Sequence, residues 1–269
     1  MKASYYHFIF RVACAMCYIG HGLFGFITKK VWCTYFAVAG IGEPLAYTLM
    51  PVVGAVDVAL GLIVLVYPLR FAAVWLVGWG VFTASLRPLA GEPVAELIER
   101  AGNFGAPWIL LLLSAPVHGK KGGLMDHLVP DEVWKGNRTE TIQKYLQLFG
   151  FLLLLGHGWL NLLLKPGLLH QYTRLGFAHP ERMAFYIGLF ECIAACVILL
   201  KPSRPALLII LIWKVVSEIP YPAYAILEWI ERGGSYAILL GLILILKKPF
   251  PLHSSLLHLH HTKAPSAGL

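Results

Sequence analysis

The sequence predicts an all-α integral membrane protein, a polytopic bundle of about eight transmembrane helices arranged as two parallel four-helix repeats. Three observations carry this prediction. The 269 residues are 58% hydrophobic and only 13% charged, where soluble domains hold roughly 25% charged residues. Apolar runs approaching the roughly 20 residues that cross a bilayer as a helix recur along the whole chain. Gly20-His21-Gly22 returns as Gly156-His157-Gly158, 136 positions later (157 − 21). Further landmarks follow each histidine in the same order, which chance likeness between apolar segments does not produce.

The first repeat covers residues 1–118. Its opening run, 6–28, contains Arg11 and has no evident small-residue cleavage site, so it reads as a retained helix and not a signal peptide. It ends at Lys29. The outer connection Val31 to Leu45 is partly apolar and is expected to lie on or dip into the bilayer, with Gly40 and Pro44 inside it. The second run, 45–67, carries Gly54-Ala55-Val56-Asp57 and stops at Pro68 and Arg70. The third, 70–90, carries Trp79 and Arg87. The fourth, 96–117, opens with Glu96, Glu99, Arg100 and Gly102 and is apolar only from about Phe104.

Residues 119–140 form a polar linker expected in the cytoplasm, where the Asn137-Arg138-Thr139 glycosylation pattern has no use. The second repeat, 141–248, follows the first landmark by landmark. The fifth run, 142–164, holds His157 and ends at Lys165. A connection with Gly176 and Pro180 leads to the sixth run, 183–200, with Gly188 and Glu191 before Pro202 and Arg204. The seventh, 205–220, contains Trp213 and the pair Lys214 and Glu218, four apart on one helix face, which reads as an ion pair used in packing. The eighth, 223–246, contains Glu228, Glu231, Arg232 and Gly234. Because each unit crosses an even number of times, the halves share one orientation about an axis along the membrane normal. The basic tail, 249–269, holds His253, His258, His260 and His261; adventitious metal on a weakly ordered tail is the favoured reading there.

The formal net charge of +8 comes from residues scattered through short loops. That excludes nucleic acid as a partner and fits orientation in a lipid bilayer, with both termini on the cytoplasmic side of the cell membrane. Cys14-Ala15-Met16-Cys17 has the spacing of thiol oxidoreductases but lies within an apolar helix, not at an exposed helix start, so packing is the favoured role. Neither a nucleotide-binding loop nor a zinc-protease motif is present.

Taken together, Arg11, His21, Gly22, Lys29, Asp57, Gly61, Arg70, Arg100, Gly102, Asn103 and Phe104 resemble the pattern of the DoxX-like family of small four-helix membrane proteins. His157, Gly158, Lys165, Glu191, Arg204, Arg232, Gly234 and Tyr236 repeat it in the second half, with Gln147 in place of the arginine and Ser235 in place of the asparagine. The resemblance implies a helical bundle associated with membrane redox work, including a quinone-reducing enzyme acting on thiosulfate.

Ionisable groups in a hydrocarbon core are costly and usually face a bundle interior. His21, Asp57, Arg87, Glu96, Glu99 and Arg100 all fall in the outer half of the first unit, and His157, Glu191, Glu218, Glu228, Glu231 and Arg232 in that of the second. The expected catalytic groups are His21, His157, Asp57 and Glu191, with the other acids and arginines binding substrate. Histidine relays protons near neutral pH and a carboxylate sets its tautomer. The structural reading, polar pairs that hold helices together, stands beside it. Three functions stay open: a quinone-linked oxidoreductase, or its membrane subunit with a soluble redox partner, acting on a small thiol or sulfur donor; a small-molecule transporter or binding protein; and a non-catalytic assembly partner. Quinone is the expected cofactor. The alternative is haem b held non-covalently by the two repeat histidines.

Overall fold

Backbone polar groups have no water to bond in a bilayer, and an apolar segment satisfies them within itself by forming a helix. The computed structural model describes residues 3–115, 123–132, 136–219 and 225–246. Among the described residues the chain forms α1 (Ala3–Ile27), α2 (Trp32–Val38), α3 (Glu43–Val66), α4 (Arg70–Leu89), α5 (Ala95–Glu99), α6 (Ala101–Leu113), α7 (Gly136–Leu162), α8 (Pro166–Arg174), α9 (Pro180–Leu200), α10 (Arg204–Ser217), α11 (Ala225–Glu231) and α12 (Gly233–Ile245). The His-rich tail lies outside the described residues.

Five helices, α1, α3, α4, α7 and α9, are long and apolar enough to cross a membrane. Of the about eight spans expected, five are met by this measure among the described residues. The fourth and eighth apolar runs are each divided into a short helix and a longer one, at Arg100 (φ −86°, ψ 13°) and Arg232 (φ −88°, ψ 10°). What remains beyond each break is 13 residues, about 20 Å of helix against a hydrocarbon core of roughly 30 Å. The seventh run forms α10, of 14 residues. The breaks fall at arginines engaged in buried ion pairs, described below.

The outward faces are apolar. Val52, Val56 and Leu62 on α3, Phe185, Leu189 and Ile193 on α9, and Leu208, Ile209 and Ile212 on α10 are all exposed. A continuous apolar surface of this kind suits lipid and not water. The two histidine-bearing helices are the inner ones: 56% of the most apolar stretch of α1 and of α7 is buried, against 28–33% for α3, α4 and α9. Phe10, Ile109, Leu146 and Ile238 bring α1, α6, α7 and α12 into one core.

Small residues set how closely these helices approach. A Cβ on Gly22 would lie 2.5 Å from the carbonyl oxygen of Gly54, so α1 and α3 pack backbone to backbone; on Gly158 it would lie 2.9 Å from that of Gly188, where α7 meets α9. Helix ends also recur in register. Thr28 (φ 56°) and Leu164 (φ 55°) adopt the left-handed conformation just past α1 and α7, a conformation uncommon outside glycine. It turns the chain into the short helices α2 and α8. At the opposite end of the bundle, Arg11 donates through Nε to the Val64 carbonyl at 3.2 Å, and Gln147 donates through Nε2 to the Ile198 carbonyl at 3.2 Å. Both satisfy carbonyls left open at a helix C-terminus. The linker is pinned at that end too: Arg70 N donates to Asp126 O at 2.9 Å and Leu128 N to Pro68 O at 2.7 Å.

Candidate functional site

The polar residues gather where α1 ends and α2 begins. Close packing of α1 on α3 brings His21 against Asp57, and His21 Nδ1 donates to Asp57 Oδ2 at 2.7 Å. Asp57 is fully buried, whereas a fifth of the His21 side chain is exposed. Trp32, from α2, stacks on the imidazole with ring centroids 4.8 Å apart. With Nδ1–H committed to the carboxylate, Nε2 is the ring atom left to accept or deliver a proton.

His21 lines a cavity of about 320 Å³. Aromatic residues in its lining include Trp32, Tyr35, Trp79 and Phe82. Its charged lining residues are Lys29, Arg87, Arg100, Lys165 and Arg232, with the acids Glu228 and Glu231. Most of the cations are anchored from behind by carboxylates. Arg87 Nη1 donates to Glu92 and to Glu96, each at 3.1 Å. Arg100 and Arg232 both reach Glu99, at 3.3 and 3.2 Å. Arg232 Nε also lies 2.6 Å from Glu218, whose other oxygen is 2.5 Å from Lys214 Nζ. Two ion pairs join distant parts of the chain: Lys29 to Glu228 at 2.6 Å and Lys165 to Glu96 at 2.5 Å. The Tyr35 hydroxyl donates to Glu92 at 2.6 Å and its ring lies under the Arg87 guanidinium. Burial pushes this phenol up, against the pull of Arg87 and with the bond to Glu92 adding to the rise.

The second histidine makes the same pair in different surroundings. His157 Nδ1 donates to Glu191 at 2.7 and 2.9 Å. Trp213 Nε1 donates to Glu191 Oε1 at 3.0 Å, and Asn161 Nδ2 lies 3.4 Å from Oε2. Tyr172 closes the network by donating to Asn161 Oδ1 at 2.6 Å. Glu191 is fully buried and His157 is 6% exposed. At the corresponding places the first half has Gly25, Phe36, Gly80 and Ala84 where the second has Asn161, Tyr172, Lys214 and Glu218. The second half therefore seals the volume around its histidine with hydrogen-bonding side chains.

Of the residues singled out in the sequence, His21, Arg87, Arg100, Glu228, Glu231 and Arg232 line the cavity. Asp57, Glu96, Glu99 and Glu218 stand behind them as buried partners, and His157 with Glu191 forms the separate, closed cluster. Haem held between the two histidines has no support from this cavity, which His21 lines and His157 does not. Cys14 and Cys17 are free and buried in the core. Sequence reasoning missed Trp32, Tyr35 and Lys165 as wall residues, and treated Trp79 only as a landmark of the repeat. Comparison with known proteins finds no matching family model, no similar curated protein and no similar solved structure.

Proposed function

We propose that this protein is a quinone-linked membrane oxidoreductase, or the membrane subunit of one, with its reaction site in the first-half cavity. The observation that carries the proposal is His21, whose Nδ1 is fixed on a fully buried carboxylate while its ring stacks on Trp32 at an aromatic cavity wall. The fit to a quinone rests on aromatic faces in the lining for a ring and on basic donors in the same lining for its oxygens. A quinone accepts two electrons and two protons; a thiol pair that closes to a disulfide releases the same numbers, directly or through a soluble partner subunit. In this reading Asp57 holds the tautomer and orientation of His21, His21 Nε2 carries the proton, and Arg100 and Lys29 favour negative charge on a ligand oxygen. The sealed cluster around His157 has a structural role.

The topology that supports this reading has eight crossings as two parallel repeats, the shorter helices included, in the cell membrane with both termini cytoplasmic. The counterpart contacts at Arg11 and Gln147, at Thr28 and Leu164, and at the two crossing ion pairs favour it. The test is a spectrum of the purified protein, oxidised and reduced, followed by turnover of a short-chain benzoquinone with thiol and sulfur donors in lipid nanodiscs. His21→Gln is expected to lower turnover by roughly 10²-fold or more, the usual scale of a lost proton-transfer group. Wild-type protein that neither binds nor reduces the quinone would overturn the reading.

One observation favours a second function. Five cations line the cavity, which suits capture or transport of a small anion. That reading predicts anion flux that falls in Asp57→Asn, and unchanged flux excludes it.

A further inference from the structure

The two halves differ in how the carboxylate meets the indole. In the second, Trp213 Nε1 donates directly to Glu191 Oε1 at 3.0 Å. The residues in corresponding positions, Trp79 and Asp57, make no such bond, and both Trp79 Nε1 and Asp57 Oδ1 are buried without a hydrogen-bond partner. Aspartate is shorter than glutamate by one methylene, about 1.5 Å of reach. A buried carboxylate oxygen and a buried indole N–H, both unsatisfied, are unfavourable unless something occupies the gap. Asp57 is held by His21 through its other oxygen, and His21 and Trp79 both line the cavity, so the two unsatisfied atoms belong to residues at or directly behind its wall.

We infer that Asp57 Oδ1 and Trp79 Nε1 form a subsite for the phenolic hydroxyl of a reduced quinone. This rests on the quinone reading above and names the redox state that the site holds. A hydroxyl donates to the carboxylate oxygen and accepts from the indole N–H, which satisfies both groups at once. A quinone carbonyl only accepts, so it would pair with Trp79 and leave Asp57 Oδ1 unsatisfied. The aromatic faces of Trp32 and Phe82 suit the ring that carries the hydroxyl. The second half shows how the subsite closes when the acid is one methylene longer: the carboxylate reaches the indole itself and no ligand group is needed. A tenfold preference for quinol over quinone raises the two-electron potential of the bound couple by about 30 mV, so the site would favour reduction of its ligand.

The experiment is anaerobic calorimetric titration of the full chain in lipid nanodiscs with a short-chain benzoquinol, its dimethyl ether and the corresponding quinone. The quinol is expected to bind at least tenfold tighter than the ether and than the quinone. Asp57→Glu keeps the charge and copies the second half, and is expected to remove that preference by closing the gap on Trp79. Trp79→Phe removes it by deleting the donor, whereas Trp213→Phe leaves it. Equal binding of quinol and ether, or a preference that survives both first-half variants, overturns the subsite while the oxidoreductase reading stands. Hydroxyl-dependent binding without turnover overturns the oxidoreductase reading and keeps the subsite. No binding of any of the three overturns both.

Discussion

Replacing Glu99 with glutamine tests whether the buried charges at the cavity act as one network. Glu99 is 5% exposed and accepts hydrogen bonds from Arg100, its chain neighbour, and from Arg232, 133 positions away in the other half. Removing one partner of a buried ion pair typically costs about 3–5 kcal/mol, because the remaining charge is left uncompensated. The lower end applies here. Arg232 keeps its contact with Glu218, and the Arg100 side chain retains 16% exposure at the cavity wall. The expected loss for Glu99→Gln is therefore about 3 kcal/mol, measured by detergent-driven unfolding in mixed micelles with helical circular dichroism as the signal. Removing Arg232 as well should cost less than the two single changes added, since both dismantle the same contact. Glu140→Gln provides the control, because the Lys144–Glu140 pair is 65–70% exposed and its unfolding midpoint should not move. A loss for Glu99→Gln below about 1 kcal/mol, the scale of an exposed pair, would refute the network argument.

Other changes follow from the same contacts. Gly22→Val should destabilise by about 1–3 kcal/mol, the cost of overpacking, because its Cβ would meet the Gly54 carbonyl at 2.5 Å; the same unfolding assay reads it. Gln147→Leu leaves the Ile198 carbonyl without its donor and should cost about 1 kcal/mol. Tyr35, on a short helix outside the five spanning ones, is held in its neutral form by burial. Its contribution is complete below the ordinary tyrosine range and lost as pH rises through the raised value, so wild type should lose stability above about pH 10 and Tyr35→Phe should lose less. Cys14 and Cys17 are buried, so a maleimide probe should label neither until the protein is unfolded, as followed by mass spectrometry.

Much of the architecture was legible in the sequence because it depends on local pattern. Apolar runs bounded by Lys29, Pro68, Lys165 and Pro202 become helices wherever water is absent, and no partner is needed to know it. His21, Asp57, His157 and Glu191 were legible as candidate groups, each acid following a histidine at nearly the same separation on the next long helix, but which imidazole meets which carboxylate was not, since that depends on helix rotation. Lys214 and Glu218 were readable as a pair from their spacing of four. The lengths of the fourth, seventh and eighth runs as helices were not, because the fourth and eighth break at Arg100 and Arg232 and the seventh forms a helix of 14 residues, and a hydropathy run does not report a break made to place a charge.

The sequence by itself determined a helical, membrane-type chain with two sets of matching landmarks, and it named most of the residues that meet at the polar end. Only the tertiary structure decided which set surrounds an opening. Asp57 and Glu191 carry the same charge at corresponding positions, yet one methylene lets Glu191 reach Trp213 while Asp57 leaves an oxygen without a partner. Glu99 joining Arg100 to Arg232, and Lys165 reaching Glu96, depend on how α5, α7 and α11 are rotated about their axes. Rotation is set by close glycine contacts and core packing across the whole bundle, and residues more than a hundred positions apart carry no local signal of it.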